Sequence, residues 1–197
     1  MARKLIRDVR HEELIQATIF AVHKSGFSGI TLVEIAQLAD ISPASINYYF
    51  GSKEHLMMAV MRKLMTTLRD RMLFRLGPAK TPRERLLAMI EANFDDELFT
   101  LEQCSTWMQF WGAAPYSPKL ERLHRINRTR VRSNFRSVLK SLVNEDLQET
   151  TRRSIQAYMD GVWIEAAQAR RDLNGELARK EARKFVEMIL DSSENLR

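Results

Sequence analysis

The sequence has 197 residues, of which 45% are hydrophobic and 28% charged, so it is globular rather than disordered and long enough for one or two domains with a buried core. A single cysteine (Cys104), a charged first ten residues and a longest apolar run of only Leu56 to Met61 exclude a disulfide scaffold, a Cys-based zinc ribbon, a signal peptide and a membrane span. They point to a soluble, cytoplasmic protein, and a formal charge of +6 favours a polyanionic partner.

The charge is uneven. Residues 1–60 balance to zero, whereas residues 61–80 carry six basic residues and one acidic one. Arg3, Lys4, Arg7 and Arg10 face only Asp8 in the first ten residues, which suits either an arm following a phosphate backbone or a solvated terminus.

Seven Gly and five Pro fall mostly between stretches of helical periodicity, and no alternating strand pattern of useful length is present. A first helix is expected from about His11 to Ser25, with Leu14, Ile15, Thr18, Ile19 and Val22 on one face and Gly26 as its stop. Thr31 and Glu34 form a capping box for a second helix. After a turn at Asp40-Ile41, Ser42 caps a short third helix with Pro43 at its first position, and Phe50-Gly51 ends it. Ser52 then caps a long fourth helix over Lys53 to Leu76. Gly77-Pro78 breaks the chain, and further helices are expected over roughly 82–99, 101–112, 118–143, 148–172 and 176–192. The expected class is all-α: a small N-terminal unit, residues 1–55, and a larger helical domain, residues 56–197.

Thr31 to Phe50 has helix-turn-helix spacing. Ile46 and Phe50 belong on the buried side of the third helix. Ala44, Asn47 and Tyr48 lie on the other side, with Ser45 beside them. A two-turn helix exposing a small residue, an amide and a tyrosine suits a DNA groove, because Asn can bond adenine edges and small side chains allow close approach. Thr31 and Ser42 stand at helix N-termini, which attract phosphate. The spacing alone is also that of a helical hairpin inside another bundle.

Thr31-Leu32-Val33-Glu34-Ile35-Ala36, Ile41-Ser42 and Tyr48-Tyr49-Phe50-x-x-Lys53-x-x-Leu56 resemble the DNA-binding signature of the TetR family of repressors over about residues 10–56. The resemblance implies a three-helix DNA-binding domain and a C-terminal helical domain that dimerises and binds an inducer. It implies phosphate anchors at Thr31, Ser42, Tyr49 and Lys53, and recognition-helix positions at Pro43, Ala44, Ser45, Asn47 and Tyr48. Two positions depart from it: Asp40 stands where the family usually has Gly, and Asn47 replaces a common aromatic phosphate contact.

In the C-terminal part, Asn93-Phe94-Asp95, Trp107-x-x-Phe110-Trp111, Arg122 to Asn134 and Asp160-Gly161-x-Trp163 resemble the choline-responsive branch of that family, which governs glycine-betaine synthesis. The chemistry is compatible. Aromatic faces attract a trimethylammonium by about 0.5–2 kcal/mol each, all three tryptophans lie here, and Trp107 and Trp111 share a helix face as Asp160 and Trp163 can. The expected ligand residues are Asn93, Phe94, Trp107, Phe110, Trp111, Tyr116, Asp160 and Trp163. The alternative for each aromatic is ordinary core.

His11, His23, His55 and His124 form no ligand pair, and no nucleophile, phosphate loop or metal motif is present. Gly161, with Ala157 a turn earlier, suggests close helix approach at a dimer seam or beside a ligand. The expected function is a homodimeric repressor that binds an inverted-repeat operator in double-stranded DNA and answers choline. It needs no cofactor, metal or membrane and is no enzyme. The rivals are a sensor of another cation or aromatic compound, a helical-bundle enzyme, and a scaffold that does not bind DNA.

Overall fold

The computed structural model describes residues 2–169 and 172–194, with side chains over 8–169 and 172–192. Among these residues the structure is helical without strands: α1 (Ala2–Gly29), α2 (Leu32–Leu38), α3 (Pro43–Phe50), α4 (Lys53–Leu76), α5 (Pro82–Glu91), α6 (Leu101–Ala113), α7 (Pro118–Leu139), α8 (Glu145–Ala167) and α9 (Gly175–Glu194). Short 3-10 turns follow α5 at Ala92–Phe94 and α6 at Ala114–Tyr116.

Local capping sets most boundaries. Thr31 and Glu34 close the capping box before α2, and Thr81 and Glu84 close a second one before α5. Ser42, Ser52 and Ser117 each accept a hydrogen bond from the backbone N–H three residues on, at the starts of α3, α4 and α7. Asp40 takes φ 50°, the left-handed turn conformation between α2 and α3 that Asp tolerates.

Several boundaries differ from the sequence expectation. α1 begins at Ala2, because no Gly or Pro interrupts residues 2–25; the basic arm is therefore helical in its backbone, and the side chains of Arg3, Lys4 and Arg7 lie outside those described. At Gly26, φ 71° breaks the helix before a last turn to Gly29. The helix expected over 82–99 ends at Glu91. Asp95 turns extended there; its carbonyl accepts from the N–H groups of Leu98 and Phe99, and its carboxylate accepts from Arg75 Nη2 at 2.9 Å. α7 stops at Leu139 and α8 starts at Glu145, whose position with Asp146 in the first turn suits the helix dipole, and α8 ends at Ala167 rather than 172.

One buried cluster runs through the whole molecule, from Leu14 and Ile46 through Leu56 and Leu86 to Phe110 and Trp163. α1 packs on α6, and α6 on α8. Around the far end of α4, Arg75 pairs with Asp95, Arg71 pairs with Glu97, Arg183 pairs with Glu91, and Arg83 reaches Asp191 at 2.8 Å, tying α4, α5 and α9 together. No helix among the described residues is long and apolar enough to cross a membrane.

Candidate functional site

α2 and α3 form the helix-turn-helix. Ile46 and Phe50 are buried, and Pro43, Ala44, Asn47 and Tyr48 are exposed on the opposite side, with Ser45 half-buried between. Tyr48 is 79% exposed and stands edge-on to the half-buried Tyr49, ring centroids 5.3 Å apart. Asn47 makes no side-chain hydrogen bond among the described residues, so its amide is available to an outside partner.

The residues expected to anchor phosphates are engaged within the protein in part. Thr31 N–H donates to Glu34 Oε2 at 2.7 Å, and this bond, followed by that of the Thr31 hydroxyl, holds the Glu34 carboxyl below its usual range. Glu34 therefore occupies the N-terminus of α2, where a phosphate would otherwise lie. Ser42 Oγ sits 2.9 Å from Ser45 Oγ and caps α3. Lys53 is half-buried; its Nζ donates to the carbonyls of Ile30 at 2.6 Å and Ser28 at 3.5 Å and lies 5.2 Å from the Phe27 ring centre. Burial pushes its pKa down, against the pull of Glu34. Lys53 thus closes the end of α1 as well as starting α4.

Inside the larger domain, α4, the first 3-10 turn, α6, α7 and α8 enclose a cavity of about 40 Å³. Five of the eight residues expected from sequence meet there: Asn93, Trp107, Trp111, Asp160 and Trp163. Trp107 stands 6.2 Å from Trp111 and 6.1 Å from Trp163, centroid to centroid. The spacing of 107 and 111 on α6 and of 160 and 163 on α8 turns these residues to one place because α6 and α8 pack side by side.

Three expected residues lie elsewhere. Phe110 and Phe94 are fully buried and line no part of the cavity. Phe110 packs behind Trp107 and against His124, and Phe94 supports Phe99, which in turn meets Trp163 edge-on. They form the layer that fixes the indoles. Tyr116 is 88% exposed, because the 3-10 turn Ala114–Tyr116 buries Ala114 and throws Tyr116 outward beside Phe27 and Gln109.

The structure adds residues that the sequence did not single out. Asp160 accepts hydrogen bonds from Arg128 Nη1 at 2.9 Å and Gln156 Nε2 at 2.7 Å. Asn127 and Val131 of α7, and Leu68 of α4, complete the wall. Gln156 stands one helical turn from Asp160, a pairing visible in the sequence, whereas Arg128 is 32 residues away and only the packing of α7 on α8 reveals it. Burial, then the nearby Arg128, lower the pKa of His124.

The opposite side of α6 meets the DNA-binding unit. Ser105 Oγ lies 2.8 Å from His23 Nδ1, and Gln109 Oε1 accepts the Phe27 N–H at 3.2 Å. α7 makes the second tie: Ser117 Oγ and Lys119 Nζ bond the Glu54 carboxylate at 2.7 and 2.8 Å and hold its pKa down, Lys119 contributing most.

Known proteins agree with this architecture. Residues 82–191 match the C-terminal family of BetI-type transcriptional repressors, and residues 14–60 match the tetR family of bacterial regulatory proteins. An HTH-type transcriptional regulator BetI of Burkholderia lata is 31% identical over 188 residues, 95% of this chain and 97% of its own. Its counterpart of the same description in Burkholderia cenocepacia is 32% identical over 193 residues, with the same coverage. Among solved structures, a putative transcriptional regulator from Pseudomonas aeruginosa PAO1 shares the fold at TM-score 0.72 and 24% identity, over 96% of this chain and 95% of that one. A putative regulator from Saccharomonospora viridis, solved in complex with choline, shares it at TM-score 0.73 and 22% identity, over 90% and 95%. The chain therefore belongs to the tetR family of bacterial regulatory proteins, in its BetI-type branch: it is a DNA-binding transcriptional repressor and not an enzyme.

Proposed function

We propose that this repressor takes choline as its inducer, in the cavity between α6, α7 and α8, and so controls genes that convert choline to glycine betaine. The observation that carries this reading is the meeting of three tryptophans and one carboxylate around a space of about 40 Å³. One water needs about 10–15 Å³ on the same measure, so the space suits a compact head group rather than a polycyclic drug. Indole faces attract a quaternary cation, and Asp160 supplies the counter-charge. The choline complex of the Saccharomonospora viridis regulator and the BetI description of the Burkholderia relatives support the same ligand. A larger cationic or aromatic inducer is disfavoured by size.

In this reading Asp160 exchanges partners. Arg128 holds its carboxylate, and choline takes the place of the guanidinium. Residues 1–55 are the DNA-binding unit and residues 56–197 sense the ligand and dimerise. Pro43, Ala44, Asn47 and Tyr48 face the major groove, with Ser42, Tyr49 and the N–H of Lys53 left over from Ile30 on the backbone. The apolar residues left exposed on the last two helices offer the dimer seam: Leu177 and Met188 of α9 and Ile164 of α8, with open space in front of Gly161. Two protomers joined there place their recognition helices about 34 Å apart or somewhat more, over an inverted repeat.

Titration calorimetry with choline, glycine betaine and the neutral isostere 3,3-dimethylbutan-1-ol tests the ligand. Choline should bind and lower operator affinity, and betaine should bind more weakly because its carboxylate meets Asp160. Trp111→Ala should abolish choline binding while leaving operator binding intact. Binding of the isostere as tight as that of choline would show that the indoles are ordinary core.

A further inference from the structure

We propose a second subsite, for an anionic group, adjoining the aromatic cavity, so that the preferred ligand is a trimethylammonium compound with an anionic tail. The inference rests on the choline-site reading above and extends it. A second cavity of about 30 Å³ shares Leu68, Asn93, Asn127 and Val131 with the first, so the two adjoin.

The two cavities have opposite electrostatic character. The first is lined by Asp160 and by no cationic side chain. The second is lined by Arg130 and Arg69 and by no carboxylate. Arg69 is spoken for, since its guanidinium donates twice to Asp70 at 3.0 and 2.8 Å. Arg130 is half-buried and has no carboxylate within ion-pair distance among the described residues. The neighbouring amides are short of partners too. Asn134 Nδ2 has only the Met72 sulfur, at 3.6 Å, a weak acceptor. Asn127, in the shared wall, makes no side-chain hydrogen bond among the described residues. None of these donors is buried without a partner, so they stay open to a ligand, and an anion among them accepts from several at once.

Asn93 lines both cavities; one of its Nδ2 hydrogens is given to the Met89 carbonyl at 2.8 Å, which fixes the amide in place. Because the two cavities adjoin along Leu68, Asn93, Asn127 and Val131, the anion must reach past the cavity that holds the ammonium. A spacer of two or three carbons reaches further than the single carbon of glycine betaine.

Calorimetry and tryptophan fluorescence on the full-length protein with choline, phosphocholine, glycine betaine and inorganic phosphate test the proposal. Phosphocholine should bind about tenfold or more tighter than choline, as expected for new hydrogen bonds to a charged group. Arg130→Gln should remove that gain while moving the choline Kd less than about twofold, a control that also shows the variant is folded. Phosphocholine binding no tighter than choline overturns the tail subsite and leaves the choline reading standing, as does an equal loss for both ligands in Arg130→Gln. Inorganic phosphate binding as tightly as phosphocholine overturns it as well, since the two cavities would then not act together. If neither choline nor phosphocholine binds, or if Trp111→Ala binds both like the wild type, the choline reading itself falls.

Discussion

If choline takes Asp160 from Arg128, deleting the guanidinium should tighten choline binding. The pair is 2.9 Å long, with side-chain exposures of 50% for Arg128 and 28% for Asp160. Solvent screens an ion pair this open to about 0.2–1 kcal/mol. Arg128→Gln removes that competitor, and Gln156 still satisfies one oxygen of Asp160, so the carboxylate is not left bare. Recovering about 0.5–1 kcal/mol corresponds to about two- to fivefold tighter choline binding. Calorimetry at low and high salt measures it, and the gain should shrink as salt rises. The neutral isostere is the control: a gain shared by it would report a reshaped cavity instead of a released carboxylate. Unchanged or weaker choline binding in Arg128→Gln would refute the exchange of partners.

Asn47→Ala should alter base preference in binding-site selection, at about 1–3 kcal/mol for the base pair it reads; an unchanged preference removes it from the reading set. Lys53→Ala should weaken binding to all sequences and lower the salt slope by about one charge. It should also lower the melting temperature, because the Ile30 carbonyl loses its donor. Glu34 has a depressed pKa, so the stability it contributes is complete above the ordinary carboxylate value and is lost as pH falls through the folded-state value. Glu34→Gln should therefore flatten the acid limb of a melting-temperature profile, and an unaltered limb would deny the capping box that role.

What could be read from the sequence is what is decided locally. The starts of α2, α3, α4, α5 and α7 carry their own capping residues within four positions, and α4 runs over the expected Lys53 to Leu76. The break at Asp95 carries no such signal: it depends on Arg75 from α4, twenty residues back. The site divides in the same way. Helical spacing puts Trp107, Phe110 and Trp111 on one side of α6, but only the positions of α7 and α8 decide that the tryptophans border the cavity while Phe110 packs behind them. Tyr116 looked equivalent by composition, and one 3-10 turn sends it to the surface. Arg128 lay within a run of arginines that nothing local distinguishes, and its partner is on another helix.

The proposed ligand cavity and the DNA-binding unit are joined by two structural routes, and they differ in stiffness. α4 starts in the DNA-binding unit and brings Leu68 to the cavity, but its far end is clamped by Arg75 to Asp95 and Arg71 to Glu97. A helix pinned there can pivot but not slide. α6 is reached directly from both sides: Trp107 and Trp111 border the cavity, and Ser105 and Gln109 hold His23 and Phe27 at the end of α1. Those contacts fall at the Gly26 break, where φ 71° interrupts α1 and where Lys53 gathers the carbonyls of Ser28 and Ile30. On the proposed reading, a shift of α6 that accommodates a cation between its indoles would be delivered to the joint on which α2, α3 and the start of α4 are set. In a dimer, a pivot of α4 would then convert it into a change in the spacing of the two recognition helices. Because the free energy of coupling is reciprocal, the operator must weaken the inducer by the same factor by which the inducer weakens the operator, about 5–150-fold for a coupling of about 1–3 kcal/mol. Neither route has to break the packed core to supply that much: the ties involved are a few hydrogen bonds at half-exposed positions, each worth about 0.5–1.5 kcal/mol net.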